Sequence, residues 1–214
     1  MPKQLKPKEI TQIFAYFQAQ EPEPKGELNY TNAYQLLLAV ALSAQATDVS
    51  VNKATDGLFK KVTSAQDLLD LGLENLVAHI RTIGLYNTKA KNALAAARIL
   101  VDDYGGEVPE DRAALESLPG VGRKTANVVL QMYFGHATIA VDTHVFRLSN
   151  RLGLALGKTP GQVEAQLMKR VPSAYRYHAH HWLILHGRYT CLARKPRCGT
   201  CGIRALCLYS DKEL

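Results

Sequence analysis

The chain has 214 residues, 47% of them hydrophobic and 21% charged, with a formal charge of +7. That is length enough to bury a core in one domain or two small ones. The longest apolar run, Leu36 to Leu42, is far too short for a membrane span. Lys3, Lys6 and Lys8 have no apolar segment behind them to act as a secretory signal, so an intracellular, membrane-free protein is expected. The surplus of positive charge makes a polyanion the first partner to consider, because basic side chains release counterions from phosphates.

The pattern is helical almost throughout, and an all-α fold is expected. The first break falls at Glu21-Pro22-Glu23-Pro24-Lys25-Gly26. Tyr34 to Ala46 is apolar all round, which predicts a central helix buried on every side. Ala90, Ala93, Leu94, Ala97, Leu100 and Val101 recur at three- and four-residue steps, as one buried helix face requires. Further breaks fall at Gly105-Gly106 before Pro109 and from Gly153 to Pro160. Alternating β-branched runs are few and no Asn-Gly hairpin occurs.

Two segments 36 residues apart are alike: Ile83-Gly84-Leu85-Tyr86-Asn87-Thr88-Lys89-Ala90 and Pro119-Gly120-Val121-Gly122-Arg123-Lys124-Thr125-Ala126. Each reads as a glycine turn opening a helix. In the second, Gly120 and Gly122 lack Cβ atoms and let the backbone turn tightly and approach a ligand. The amides of such a turn point outward at a helix start, where the dipole favours an anion such as a DNA phosphate. Leu118-Pro119 before it and Lys124-Thr125-Ala126 after it make the string resemble the helix-hairpin-helix DNA-binding motif.

Four cysteines, Cys191, Cys198, Cys201 and Cys207, are spaced Cys-x6-Cys-x2-Cys-x5-Cys. In a reduced compartment they are more readily metal ligands than disulfides. Zinc favours paired Cys-x2-Cys knuckles, of which only Cys198 and Cys201 form one; uneven loops suit the separated corners of a four-iron cluster. A zinc protein would be colourless, a cluster protein brown. Arg194, Lys195 and Arg197 lie in the first loop between ligands, as either a solvated charge run or cations held ready for phosphate. His178, His180, His181 and His186 are read as packing or surface residues.

With Leu42-Ser43-Ala44-Gln45-Ala46-Thr47-Asp48, Val141-Asp142-Thr143-His144 and His181-Trp182-Leu183-Ile184-Leu185-His186-Gly187-Arg188 added to the hairpins and the cysteines, the chain resembles the endonuclease III family over nearly its whole length. These are helix-hairpin-helix DNA glycosylases and abasic-site lyases with an iron–sulfur cluster. The resemblance implies a six-helix domain over residues 26–136 and a cluster domain from 1–25 and 137–214, with DNA in the groove between them. It implies a [4Fe–4S] cluster on the four cysteines, a monomer, and duplex DNA containing oxidised pyrimidines or abasic sites as substrate. A cytoplasmic location, on the nucleoid in a bacterium, goes with it.

It also implies that Lys124 is the nucleophile and Asp142 its carboxylate partner. Only an amine gives a Schiff base at C1′ from which the 3′ phosphate can be eliminated. An ordinary lysine is neutral in about one copy in two thousand at pH 7, so the amine needs help from its surroundings. Alternative roles are a phosphate contact for Lys124 and a helix N-cap for Asp142, the latter compatible with catalysis. A base inside a duplex is reached only by extrusion. By resemblance Gln45 and Leu85 fill the gap; otherwise they read as a solvated helix end and a core leucine. DNA contacts are expected from Gly120, Val121, Gly122, Arg123 and Thr125 of the hairpin and from Arg194, Lys195 and Arg197. The rivals are an adenine-excising relative, which lacks a lysine at the hairpin position, and a non-catalytic DNA-binding or redox-sensing module, against which Lys124 and Asp142 both argue.

Overall fold

The computed structural model describes residues 3–212, and among them there are helices and turns but no strand. The helices are α1 (Pro7–Gln20), α2 (Ala33–Leu42), α3 (Asp48–Thr55), α4 (Ala65–Ile80), α5 (Tyr86–Tyr104), α6 (Arg112–Ser117), α7 (Arg123–Met132), α8 (Thr143–Leu152), α9 (Pro160–Arg170) and α10 (Ser173–Tyr189). The chain divides into two compact units, one of residues 26–135 and the other of residues 1–25 with 136–214. None of these helices is long and apolar enough to cross a membrane.

In the unit of residues 26–135, α2 is the central element and packs against α3, α5 and α7. Leu36, Leu37, Leu38, Ala39, Val40 and Leu42 are all buried, as expected of a helix apolar on every side. The helix is shorter than the apolar run predicts, ending at Leu42 rather than Ala46. The Ser43 hydroxyl donates to Val40 O at 2.8 Å and competes with the helix ladder. Gln45 then takes a left-handed conformation (φ 56°), and Thr47 caps α3 by accepting from the Ser50 amide. On α5 the predicted face is buried at Ala90, Ala97 and Leu100. Gly105 ends that helix in the left-handed region at φ 61°.

In the other unit α1, α8, α9 and α10 enclose a core that includes Phe14, Phe17, Leu148, Leu167, Trp182 and Leu183. Trp182 Nε1 donates to Glu21 O at 2.8 Å, tying the end of α1 to α10. Gly187 lets α10 approach α8: a Cβ there would lie 2.9 Å from His144 Cβ and 3.2 Å from its carbonyl oxygen. The histidines of α10 are packing residues at His180 and His181, both buried.

Burial, then the neighbouring His180 and His178, pull the His181 imidazole down to about 3. An unfolded histidine titrates near 6.5, so between about pH 6.5 and about 3 the unfolded chain binds a proton that the folded chain refuses. Stability from this site is intact above about pH 6.5 and falls by about 1.4 kcal/mol per pH unit on acidification. Burial also lowers His186, to about 4, so urea unfolding followed by circular dichroism across this range should show a slope steeper than that, and His181→Phe should reduce it by about 1.4 kcal/mol per pH unit. An equal slope in the variant would assign the acid sensitivity to other groups.

Candidate active site

The segment between α6 and α7 forms a tight turn, with the Val121 amide donating to Leu118 O at 3.0 Å. Gly120 sits at φ 80°, and a Cβ there would be only 3.0 Å from Asn92 Cβ, so both backbone angle and space require glycine. Gly122 is extended, with φ −97° and ψ 175°, and is the N-cap of α7. A Cβ there would meet nothing within 4 Å, so neither backbone angle nor packing within the protein requires glycine at this position. No side chain caps α7, which leaves the amides of its first turn available to an anion. Arg123 is exposed, with Nη1 3.8 Å from Glu116 Oε1. Lys124 is half-buried in the first turn of the helix, and Thr125 is buried.

Asp142 is the N-cap of α8, its Oδ1 accepting from the Val145 amide at 2.8 Å. That bond occupies one carboxylate oxygen and sets the orientation of the other. The segment leading into it is held too, because His180 Nδ1 lies 2.9 Å from Ala140 O.

Three non-glycine residues among those described have positive φ: Gln45 (56°), Leu85 (59°) and Lys195 (49°). Each costs roughly 1–2 kcal/mol, and such conformations persist mainly where function holds them. By the resemblance Gln45 and Leu85 are the residues expected to fill the gap left by an extruded nucleotide, and Lys195 lies in the loop expected to meet phosphate. Leu85 is 60% exposed, so it is not a core leucine. It opens α5 without a side-chain cap, as Gly122 opens α7.

Cys191, Cys198, Cys201 and Cys207 are all free thiols and half-buried, and they line one small cavity with His186 and Arg197. Burial, and with it the neighbouring thiols, pushes Cys201 and Cys207 up, although amide hydrogen bonds from Ile203 and Tyr209 respectively oppose it. Four thiolates here therefore need positive charge between them. Four cysteine side chains lining one cavity are a donor set that fits a [4Fe–4S] cluster. Arg194, Lys195 and Arg197 are exposed on the loop between the first two cysteines, with Pro196 buried beneath them.

Two arginines on α8 escaped the sequence reading. Arg147 Nη2 donates to Gly187 O at 2.7 Å and Cys191 O at 2.9 Å. Arg151, one turn later, donates to Leu192 O at 2.7 Å and Ala193 O at 2.9 Å, and its guanidinium lies 4.6 Å from the centroid of the Tyr209 ring. Their four-residue spacing puts both on one helix face, but the carbonyls they hold are about 40 residues away and leave no mark in the sequence.

The helical fold and its glycine hairpin are those of the HhH-GPD superfamily of base excision DNA repair proteins, whose family model matches residues 38–173. The model of the iron–sulfur binding domain of endonuclease III matches residues 191–207, from the first cysteine to the last. Endonuclease III of Escherichia coli is 57% identical over 201 residues, 94% of this chain and 95% of that protein. The Haemophilus influenzae enzyme is 56% identical over the same shares. A solved endonuclease III trapped as a covalent intermediate with DNA superposes with a TM-score of 0.90 at 44% identity, covering 95% of this chain and 96% of that one. A thermostable thymine-DNA glycosylase superposes at 0.84 with 27% identity, covering 94% and 96%. The chain belongs to the endonuclease III family.

Proposed function

We propose that this protein is a bifunctional DNA glycosylase and abasic-site lyase that removes oxidised pyrimidines from duplex DNA and cuts the strand 3′ to the site by β-elimination. The observation that carries the reading is a half-buried lysine in the first turn of a helix that a glycine hairpin opens without a side-chain cap. The covalent DNA intermediate trapped in the related endonuclease III supports it. In this reading Gly120, Val121, Gly122, Arg123 and Thr125 hold a DNA phosphate, which sets the distance from the backbone to the Lys124 amine. The neutral amine attacks C1′ of an extruded nucleotide and the C1′–base bond breaks, the base leaving with a proton; the C1′–O4′ bond of the resulting aminal then opens, with a proton to O4′, to give an iminium that acidifies the C2′ hydrogens, and loss of one of these breaks the C3′–O bond and expels the 3′ phosphate.

Asp142 stabilises positive charge developing on the sugar and relays protons, with its N-cap bond keeping it aimed. Gln45 and Leu85 fill the space left by the extruded nucleotide. Functionally, residues 26–136 form the hairpin domain, while residues 1–25 and 137–214 form the cluster domain. Cys191, Cys198, Cys201 and Cys207 would hold a [4Fe–4S] cluster, whose bonds supply rigidity to the loop that presents Arg194, Lys195 and Arg197. The protein acts as a monomer on duplex DNA in the cytoplasm, on the nucleoid if the cell is a bacterium.

Duplexes carrying one defined lesion each test the activity. Excision of ring-saturated or oxidised pyrimidines, followed by a β-elimination product, is the expected result. Base release without strand cleavage, or activity on none of these duplexes, would refute it. On the loop, Lys195→Ala and Arg197→Ala should each weaken binding and reduce the slope of log K against log salt by about 0.9. Unchanged slopes would mean that these cations are merely solvated.

A further inference from the structure

We propose that His186 donates its Nε2–H to the Cys201 sulfur and so sets the reduction potential of the cluster that the four cysteines hold. His186 stands in the last turn of α10, and its Nε2 lies 3.6 Å from Cys201 Sγ. Its carbonyl oxygen accepts from the Cys191 amide at 2.8 Å, so this one residue touches the first and the third cysteine of the run. Its side chain lines the cavity that the four cysteines share.

Helix α1 backs this arrangement. The ring of Phe17, itself buried in the core, has its centroid 5.2 Å from that of the His186 ring. Beside it, the Tyr16 ring fills the space where a Cβ on Gly202 would stand, and keeps the residue after Cys201 against α1. The imidazole is thus held between an aromatic ring and a cysteine loop.

The direction of the bond follows from the chemistry of the sulfur. A cysteine that ligates iron is a thiolate with no proton to give, so the imidazole nitrogen is the donor. A hydrogen bond to a cluster sulfur strengthens as negative charge accumulates there, which favours the reduced form and raises the potential. Other donors reach the sulfurs too: Arg151 Nη1 lies 3.6 Å from Cys191 Sγ, the Tyr209 amide 3.5 Å from Cys207 Sγ, and the Ile203 amide bonds to Cys201. The amides come with the fold, whereas the imidazole is a feature of one side chain. The bond tunes an equilibrium and requires no electron transfer in the DNA chemistry.

Protein-film voltammetry of the iron-loaded, full-length protein tests this role, with the electrode as electron source and sink. His186→Phe keeps a ring against Phe17 and removes the donor. At the native midpoint potential its ratio of reduced to oxidised protein should be lower by about tenfold, the scale of one hydrogen bond. His186→Gln retains an N–H and should recover most of the difference. An unmoved potential in His186→Phe, or equal shifts in the two variants, would overturn the assignment. In the native protein with ¹⁵N-labelled histidine, pulsed EPR of the paramagnetic state of the cluster should show a weak ¹⁵N coupling. Its absence would also overturn the assignment, and this measurement decides the matter even if His186→Phe loses the cluster. The role requires the cluster proposed above, and iron analysis separates the two: a preparation free of iron removes both, whereas bound iron with an unmoved potential removes the tuning alone.

Discussion

Lys124→Ala should lower both base release coupled to strand cleavage and cleavage at preformed abasic sites by on the order of 10³-fold or more, because removing a nucleophile removes the covalent route itself. Affinity for an abasic-site duplex should change only a few-fold. The hairpin amides, which are backbone groups, remain in place, and α7 keeps its Gly122 N-cap. Single-turnover gel assays and a binding titration on the same duplex separate the two effects. A variant that loses binding and cleavage in parallel would make Lys124 a phosphate contact instead.

Asp142→Asn should slow base release by about 10²–10⁴-fold, the range of a positioned acid–base group. Asparagine caps helices about as well as aspartate, so the bond to the Val145 amide and the start of α8 should survive. The melting temperature and DNA affinity should therefore stay near those of the native protein. If Asp142→Asn were as active as the native protein while Asp142→Ala unfolded it, the carboxylate would be a cap and nothing more.

How much of this was legible in the sequence depends on whether the signal was local. The α5 face was readable because Ala90, Ala97 and Leu100 follow helical spacing. The hairpin was readable because Gly120 needs both a positive φ and room beside Asn92, and only glycine supplies them. The end of α2 was misplaced because hydropathy alone carried the helix on to Ala46. The Ser43 hydroxyl bond and the left-handed Gln45 stop it four residues earlier, and neither is a hydropathy signal.

Left-handed Leu85 and Lys195 are invisible in the same way, since no propensity predicts a leucine or lysine there. Arg147 and Arg151 hold carbonyls far along the chain, at Gly187, Cys191, Leu192 and Ala193, and only the folded backbone brings these together.

Borohydride reduction of the native protein with an abasic-site duplex, followed by peptide mass mapping, addresses the covalent step directly. The reading predicts one stable protein–DNA adduct, with the nucleotide remnant on the Nζ of Lys124. An adduct mapped to another amine, or none under conditions where the strand is cut, would contradict it.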